Sequence, residues 1–233
     1  MRQAKTANFL FLDQNGVKHI TKDVFSAIVD LSATDFLFFV SSSTINRFAE
    51  IDDIRKHINL SREDLAKCPP HSIHRKVCDY YRGLLPKGKE YFLVPFSIRK
   101  TANIYGLIFG TGHLKGLSKF LRRCWKADPE RGEANFDIDG DCISKKQPSL
   151  FRDMNVPKKI QVFEGELRQA VLSGSLATDK DVFVYTLRSG FLPSHAREAI
   201  KGMMSGGLLP KQVIGLSDDL CKSSAVPQPI VRQ

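Results

Sequence analysis

Long apolar runs are scarce in this sequence. The longest, Phe36 to Val40, falls far short of the ~20 residues a helix needs to span a bilayer, so neither a transmembrane helix nor a membrane partner is expected. The N-terminus, Met1 to Thr6, runs into an apolar stretch broken by Asp13 and lacks the small-residue cleavage site of a signal peptide, so cytoplasmic residence is expected. Cysteine is sparse too. Cys68, Cys78, Cys124, Cys142 and Cys221 are odd in number and far apart, which argues against a disulfide framework and a Cys-x-x-Cys metal site. Reduced thiols in packing roles and no bound metal are expected. Asp137-Ile138-Asp139-Gly140-Asp141 does not restore a metal, because a calcium loop needs glycine where Cys142 stands and glutamate where Pro148 stands.

Acidic residues are missing altogether from Tyr91 to Ala127. In that stretch Arg99, Lys100, Lys115, Lys119, Arg122, Arg123 and Lys126 are all basic, in a chain of net charge +10. A stretch of one sign either faces a polyanion or is a solvated surface balanced by acids elsewhere in the fold.

What is present suffices for a core. Hydrophobic residues make up 42% of the 233 and charged residues 26%, a mixture too apolar for a disordered chain. Asn8 to Asp13 reads as a buried strand leaving a sheet through Gln14-Asn15-Gly16. Thr21 then caps a helix through Val24, Phe25, Ile28 and Val29, and Phe36 to Val40 forms a second strand. Strand, helix and strand without a hairpin signal imply a parallel α/β sheet. A helix is expected over His71 to Leu85. Tyr91 to Ile98 and Asn103 to Thr111 are expected as an antiparallel pair, followed by a helix over His113 to Lys126.

Residues 129–157 are polar and turn-rich, which places a lobe boundary near residue 150 and a first domain over 1–150. Residues 151–222 form the second. Helices over Lys159 to Leu172 and Asp179 to Arg188, a third starting at Pro193, and a small wing from Leu208-Leu209 and Val213-Ile214 give the profile of a winged helix. The tail, 223–233, is expected to be loose.

Candidate site residues fall into four groups. On the third of these helices Ser194, Arg197, Glu198 and Lys201 share a polar face with His195 nearby, the arrangement by which a recognition helix meets phosphates and base edges. Residues 151–233 carry 11 basic and 8 acidic residues, and winged helices also bind proteins, so both kinds of partner stay open. The basic set from Arg99 to Lys126 is the second group. The third comprises Asp13, Asn15, Ser41, Ser43 and Arg47, at the expected carboxyl ends of strands, where α/β sheets place their ligands. Gly110-Thr111-Gly112-His113, between a strand and a helix, either receives an anion on its N–H groups or simply caps the helix through His113.

Read in order, several segments resemble the three-Cys-motif partner (TcmP) family. They are Phe9 to Lys18, Thr34 to Ser43 with Arg47-Phe48, Asn103 to Gly110, His113 with Gly116, and Trp125 with Gly132 to Asp137, so the likeness covers about residues 8 to 139. The resemblance implies a partial, Rossmann-like sheet of the class I methyltransferase kind with flanking helices, followed by a winged-helix domain. It also implies a nucleic-acid-associated partner protein of a mobile-element or phage-defence setting. Asp13 to Gly16 would occupy the place of the motif that holds a methyl-accepting nitrogen, with Asp13 and Asn15 orienting the acceptor and Tyr105 and His113 nearby. Gln14 and Asn15 stand where that motif has prolines. The upstream half of such a sheet, which carries the cofactor site, is not in the sequence, so no cofactor is expected for this chain alone and S-adenosylmethionine only in a completed protein. The implied alternatives are half of a split methyltransferase, completed by a separately encoded N-terminal half, and an adaptor for a three-Cys-motif protein; a homo-oligomer is a further possible partner.

Overall fold

The structure, a computed structural model, describes residues 6–13, 20–41, 68–140 and 158–232. They form a mixed α/β chain with a four-stranded sheet and six α-helices among the described residues. Two compact units divide it. One holds residues 1–116 and 133–140, the other 117–132 and 141–233.

The first unit is built on the sheet, ordered β1-β2-β4-β3. β1 (Asn8–Leu12) and β2 (Thr34–Val40) are parallel, joined by α1 (Lys22–Asp30), whose cap Thr21 accepts from the Val24 N–H at 3.4 Å. β3 (Phe92–Lys100) and β4 (Asn103–Thr111) form the expected antiparallel hairpin, and β4 rather than β3 pairs with β2. Period-two alternation in β2 sends Phe36, Phe38 and Val40 to one face, where they meet Phe25, Ile28 and Val29 of α1. α2 (Ile73–Gly83), preceded by a 3-10 turn at Pro70–Ser72, adds Ile73, Val77, Cys78 and Tyr81 to this core. The Tyr81 ring lies against Phe25 and Phe38, and its hydroxyl donates to the Ile20 carbonyl at 2.7 Å.

Gly106 is required where α2 crosses β4, because any Cβ there would collide with the Cβ of His74. Part of the stretch read as turn-rich also belongs to this unit. Ala134 bridges Ser97 in parallel on the free side of β3, the Ser97 N–H donates to the Glu133 carbonyl at 2.7 Å, and Ile138 is buried.

The second unit comprises most of α3 (Leu114–Ala127), then α4 (Lys158–Leu172), α5 (Asp179–Arg188) and α6 (Pro193–Ser205). α4 and α5 both pack on α6. Its core joins Phe163, Leu167 and Val171 to Val182, Phe183 and Leu187 and to Ala196, Ile200 and Met203. The expected boundary near residue 150 left all of α3 in the first lobe. The chain instead crosses between units after Gly116, because Leu117, Leu121, Cys124 and Trp125 turn one buried face of α3 into the second unit's interior.

No strand forms at Leu208-Leu209 or Val213-Ile214, where a hairpin wing was expected. Proline supplies the reason. Pro210, Pro227 and Pro229 cannot donate to a ladder, and among the described residues of this unit the one bridge is the isolated pair of Thr178 and Pro229. The Gln212 side chain stands in for a ladder, donating to the Val231 carbonyl at 2.8 Å and accepting its N–H at 3.0 Å. The tail expected to be loose is tied down. The Ile230 N–H donates to the Ala177 carbonyl at 2.8 Å, the Arg232 guanidinium donates to the carbonyls of Val171 and Leu176, and the Ile230 side chain is buried.

Candidate nucleic-acid interface

α3 carries its charge on one side. At 100° per residue, Lys115, Lys119, Arg122, Arg123 and Lys126 fall on an arc of about 100°, and all five are exposed. Leu117, Leu121, Cys124 and Trp125 occupy the opposite side and are buried, and the helix contains no acid. The five cations of this helix thus form one stripe, of which Arg122 is balanced by an acid from elsewhere in the fold, Asp218.

Two contacts fix this helix in the second unit. Asp218 accepts from the Ser118 hydroxyl at 2.8 Å and from Arg122 at 3.2 Å. The Trp125 indole N–H donates to the Gly190 carbonyl at 2.9 Å, and its ring lies 4.2 Å from the His195 ring and 5.5 Å from Phe191. Gly190 and Phe191 belong to the turn between α5 and α6. The α5–α6 pair and the part of the basic stripe from Lys119 onward are therefore in one compact unit. Gly132, at φ +66°, lets the chain pass close to the Trp125 ring, and a side chain there would strike the indole.

Local chemistry sets both helices, α5 and α6. A capping box starts α5, the Thr178 hydroxyl accepting the Asp181 N–H at 3.1 Å and the Asp181 carboxylate accepting the Thr178 N–H at 2.9 Å. Pro193 opens α6, where its fixed φ suits the first turn. Ser194, Arg197, Glu198 and Lys201 are exposed along α6 as expected, with Lys201 ion-paired to Glu198 at 3.1 Å. His195 is not part of that face. Its Nδ1 accepts the Leu192 N–H at 3.1 Å and its ring packs on Trp125, a capping and core role.

The remaining candidates lie in the first unit. Arg99 and Lys100 are exposed at the end of β3, where the Arg99 guanidinium sits 4.0 Å over the Phe136 ring and its backbone exchanges hydrogen bonds with the Asn135 side chain. Asp13 and Ser41 follow the carboxyl ends of β1 and β2. Tyr105 belongs to the same end, its ring 4.9 Å from Phe39. Asn15, Ser43 and Arg47 lie outside the described residues.

His113 was expected beside Tyr105 and is not. β4 runs antiparallel to β2, so the six residues from Tyr105 to Thr111 carry the chain about 20 Å to the opposite sheet end. There His113 caps α3. Its Nδ1 accepts the Lys115 N–H at 3.0 Å, and Thr111 Oγ1 accepts the His113 N–H at 3.1 Å. These bonds give His113 the capping role, one of the two that the sequence allows. For S-adenosylmethionine, the described part of the β1–β2 end offers an exposed Asp13 and a half-buried Ser41. Among the described residues, those two side chains by themselves do not enclose a cofactor.

A polar cluster around the buried His74 in the first unit was not foreseen. Arg75 is ion-paired to Glu133 and lies 3.5 Å from Asp139, while His74 Nε2 lies 4.0 Å from the same Glu133 carboxylate. Both His74 ring nitrogens and the Ser97 hydroxyl are buried without a hydrogen-bond partner. Burial pushes the imidazole down to about 4, against the pull of the Glu133 carboxylate. Glu133 follows Gly132 in a segment that reads as loop, so only the fold brings it to α2. Asp218 was likewise invisible as the anchor of α3, a hundred residues away in the chain. No protein-family model, no curated protein and no solved structure matches this chain.

Proposed function

We propose that this protein is a nucleic-acid-associated partner protein, of the TcmP-like kind that the sequence resembles, and that the basic stripe of α3 makes its principal phosphate contacts. One observation carries the reading. The five exposed cations of an acid-free helix share a single arc, and most of that helix belongs to the same compact unit as the α5–α6 helix-turn-helix. Phosphate contact draws affinity from such a row whatever the base sequence, and Arg197 on α6 supplies a candidate for contacts that read bases or position the duplex. Lys201 contributes less, being paired with Glu198.

Binding measured by fluorescence anisotropy on duplex DNA, single-stranded DNA and RNA over a salt series tests this. Affinity is expected to fall steeply with salt. The triple variant Lys119→Ala, Arg123→Ala, Lys126→Ala spares the Arg122–Asp218 pair. It is expected to flatten the log–log slope by about 2 to 3 on duplex DNA if each cation contacts one phosphate. No binding at low salt, or a slope that the triple variant leaves unchanged, would overturn the proposal.

A further inference from the structure

Among the described residues nothing pairs with the outer edge of β1, whereas Ala134 covers part of the free side of β3. The Asn8 N–H donates to Ala33 of the β2 side at 2.9 Å, so Asn8 faces β2. Strand alternation turns Leu10 and Leu12 the same way and points the backbone groups of Phe9 and Phe11 outward. Edge strands are ordinarily blunted by charge, proline or a bulge. Asn8–Leu12 carries no charge and no proline, and its register against β2 is unbroken. The Phe9 and Phe11 side chains, on the face away from α1 and α2, are each 59% exposed.

We propose that this edge pairs antiparallel with the same edge of a second copy of the chain. Phe9-Leu10-Phe11 reads identically in both directions, and a twofold axis at Leu10 exploits that symmetry. It sets Phe9 opposite Phe11 of the other copy, twice, and Leu10 opposite Leu10. The outward groups of Phe9 and Phe11 then form two hydrogen-bonded pairs, four N–H···O bonds in all, around a close central Leu10 pair. Four phenyl rings gather on one face. A different partner strand would need no such palindrome.

The area is modest. Each ring leaves on the order of 120 Å² exposed, so the four contribute about 500 Å², and even with the two backbones this stays below the roughly 1,200 Å² of a standard specific interface. The dimer is therefore weak and reversible. Each copy carries a net charge of +10 while the strand itself is neutral, so screening favours association. Salt thus moves it in the direction opposite to phosphate binding, which keeps this proposal separable from the preceding one.

Sedimentation equilibrium of the full chain, without nucleic acid and from micromolar to submillimolar concentration, reads the association. A monomer–dimer equilibrium that tightens as salt rises is expected. Phe9→Pro removes an outward N–H at an edge that tolerates proline, and Phe11→Glu removes a ring; each weakens dimerisation about tenfold or more with an unchanged circular dichroism spectrum. Because Phe9 faces Phe11, an equimolar mixture of Phe9→Lys and Phe11→Glu chains forms a mixed dimer more tightly than either variant forms its own. A chain monomeric throughout, as it would be if another polypeptide covers this edge, overturns the proposal. So does a dimer indifferent to both single variants, or a mixture no tighter than its components.

Discussion

His74 shows how one buried side chain converts packing into pH dependence. Its ring is enclosed between α2 and β4, with the Glu133 carboxylate as the facing anion, Arg75 and His71 as neighbours on its own segment, and Asp139 beyond Arg75. Desolvation outweighs the carboxylate and lowers its proton affinity from the usual 6.5 to about 4. Since the folded form releases its proton more readily than the unfolded one, the unfolded chain is protonated first as pH falls. Stability is therefore whole above about pH 6.5, declines between 6.5 and about 4, and loses no more to this group below that; the loss is on the order of 3 kcal/mol. Urea midpoints at pH 7 and pH 4.5 should show the decline in the native chain and a much shallower one in His74→Gln. An equal decline in that variant would assign the effect to other groups.

Gly106 belongs to the same contact from the other side. Gly106→Ala drives a methyl into the His74 Cβ, and with backbone on one side and a helix on the other the overlap is not relieved by a rotamer change. A loss of about 1–3 kcal/mol is expected, read as a lower urea midpoint with an unchanged m-value.

At the scale of elements, helix boundaries followed local chemistry closely and the wing did not. α5 spans Asp179–Arg188 as its capping pattern predicts, and β4 spans Asn103–Thr111 as its aromatic and β-branched run predicts. Thr178 works in two elements at once, capping α5 and bridging Pro229 of the tail. Thr178→Ala should accordingly cost about 1 kcal/mol through the lost cap, with amide exchange at Ile230 accelerated as the neighbouring tail loosens. Unchanged protection at Ile230 would show that the Arg232 contacts and the hydrogen bonds that Asp179 exchanges with the Gln228 backbone, at 2.8 and 2.9 Å, hold the tail without the cap. The tail was misread because Ser223 to Gln233 is rich in proline and small residues, a composition that carries no signal for the carbonyls of Val171, Leu176 and Ala177 waiting to receive it.

Across the whole molecule, the division into units redistributes the charge. Cut at residue 150, the basic strand–helix stretch belongs wholly to the first lobe. Divided as the chain folds, the second unit has 18 basic and 11 acidic residues, a net +7, and the first has a net +3. Each unit has its own core, so each should unfold as its own cooperative body. The single tryptophan, Trp125, reports on the second unit alone, while the strands among the described residues lie in the first. On acidification from pH 6.5 toward 4, where His74 weakens the first unit, loss of far-ultraviolet strand signal should precede any change in Trp125 fluorescence. Superimposable transitions would mean that the two units unfold as one.

The sequence by itself determined the elements and their chemistry. Period-two and 3.6-residue patterns, caps at Thr21 and Thr178, and the absence of acids from Tyr91 to Ala127 are local facts, settled by residues within a turn or two of each other. Only the tertiary structure decided which elements share a body, that β4 lies between β2 and β3, that Tyr105 and His113 stand at opposite sheet ends, and that Glu133 and Asp218 anchor distant helices. These depend on contacts across scores of residues. Periodicity states that a face is buried and is silent on what buries it, which is why α3 could be read correctly as a helix and still be placed in the wrong lobe.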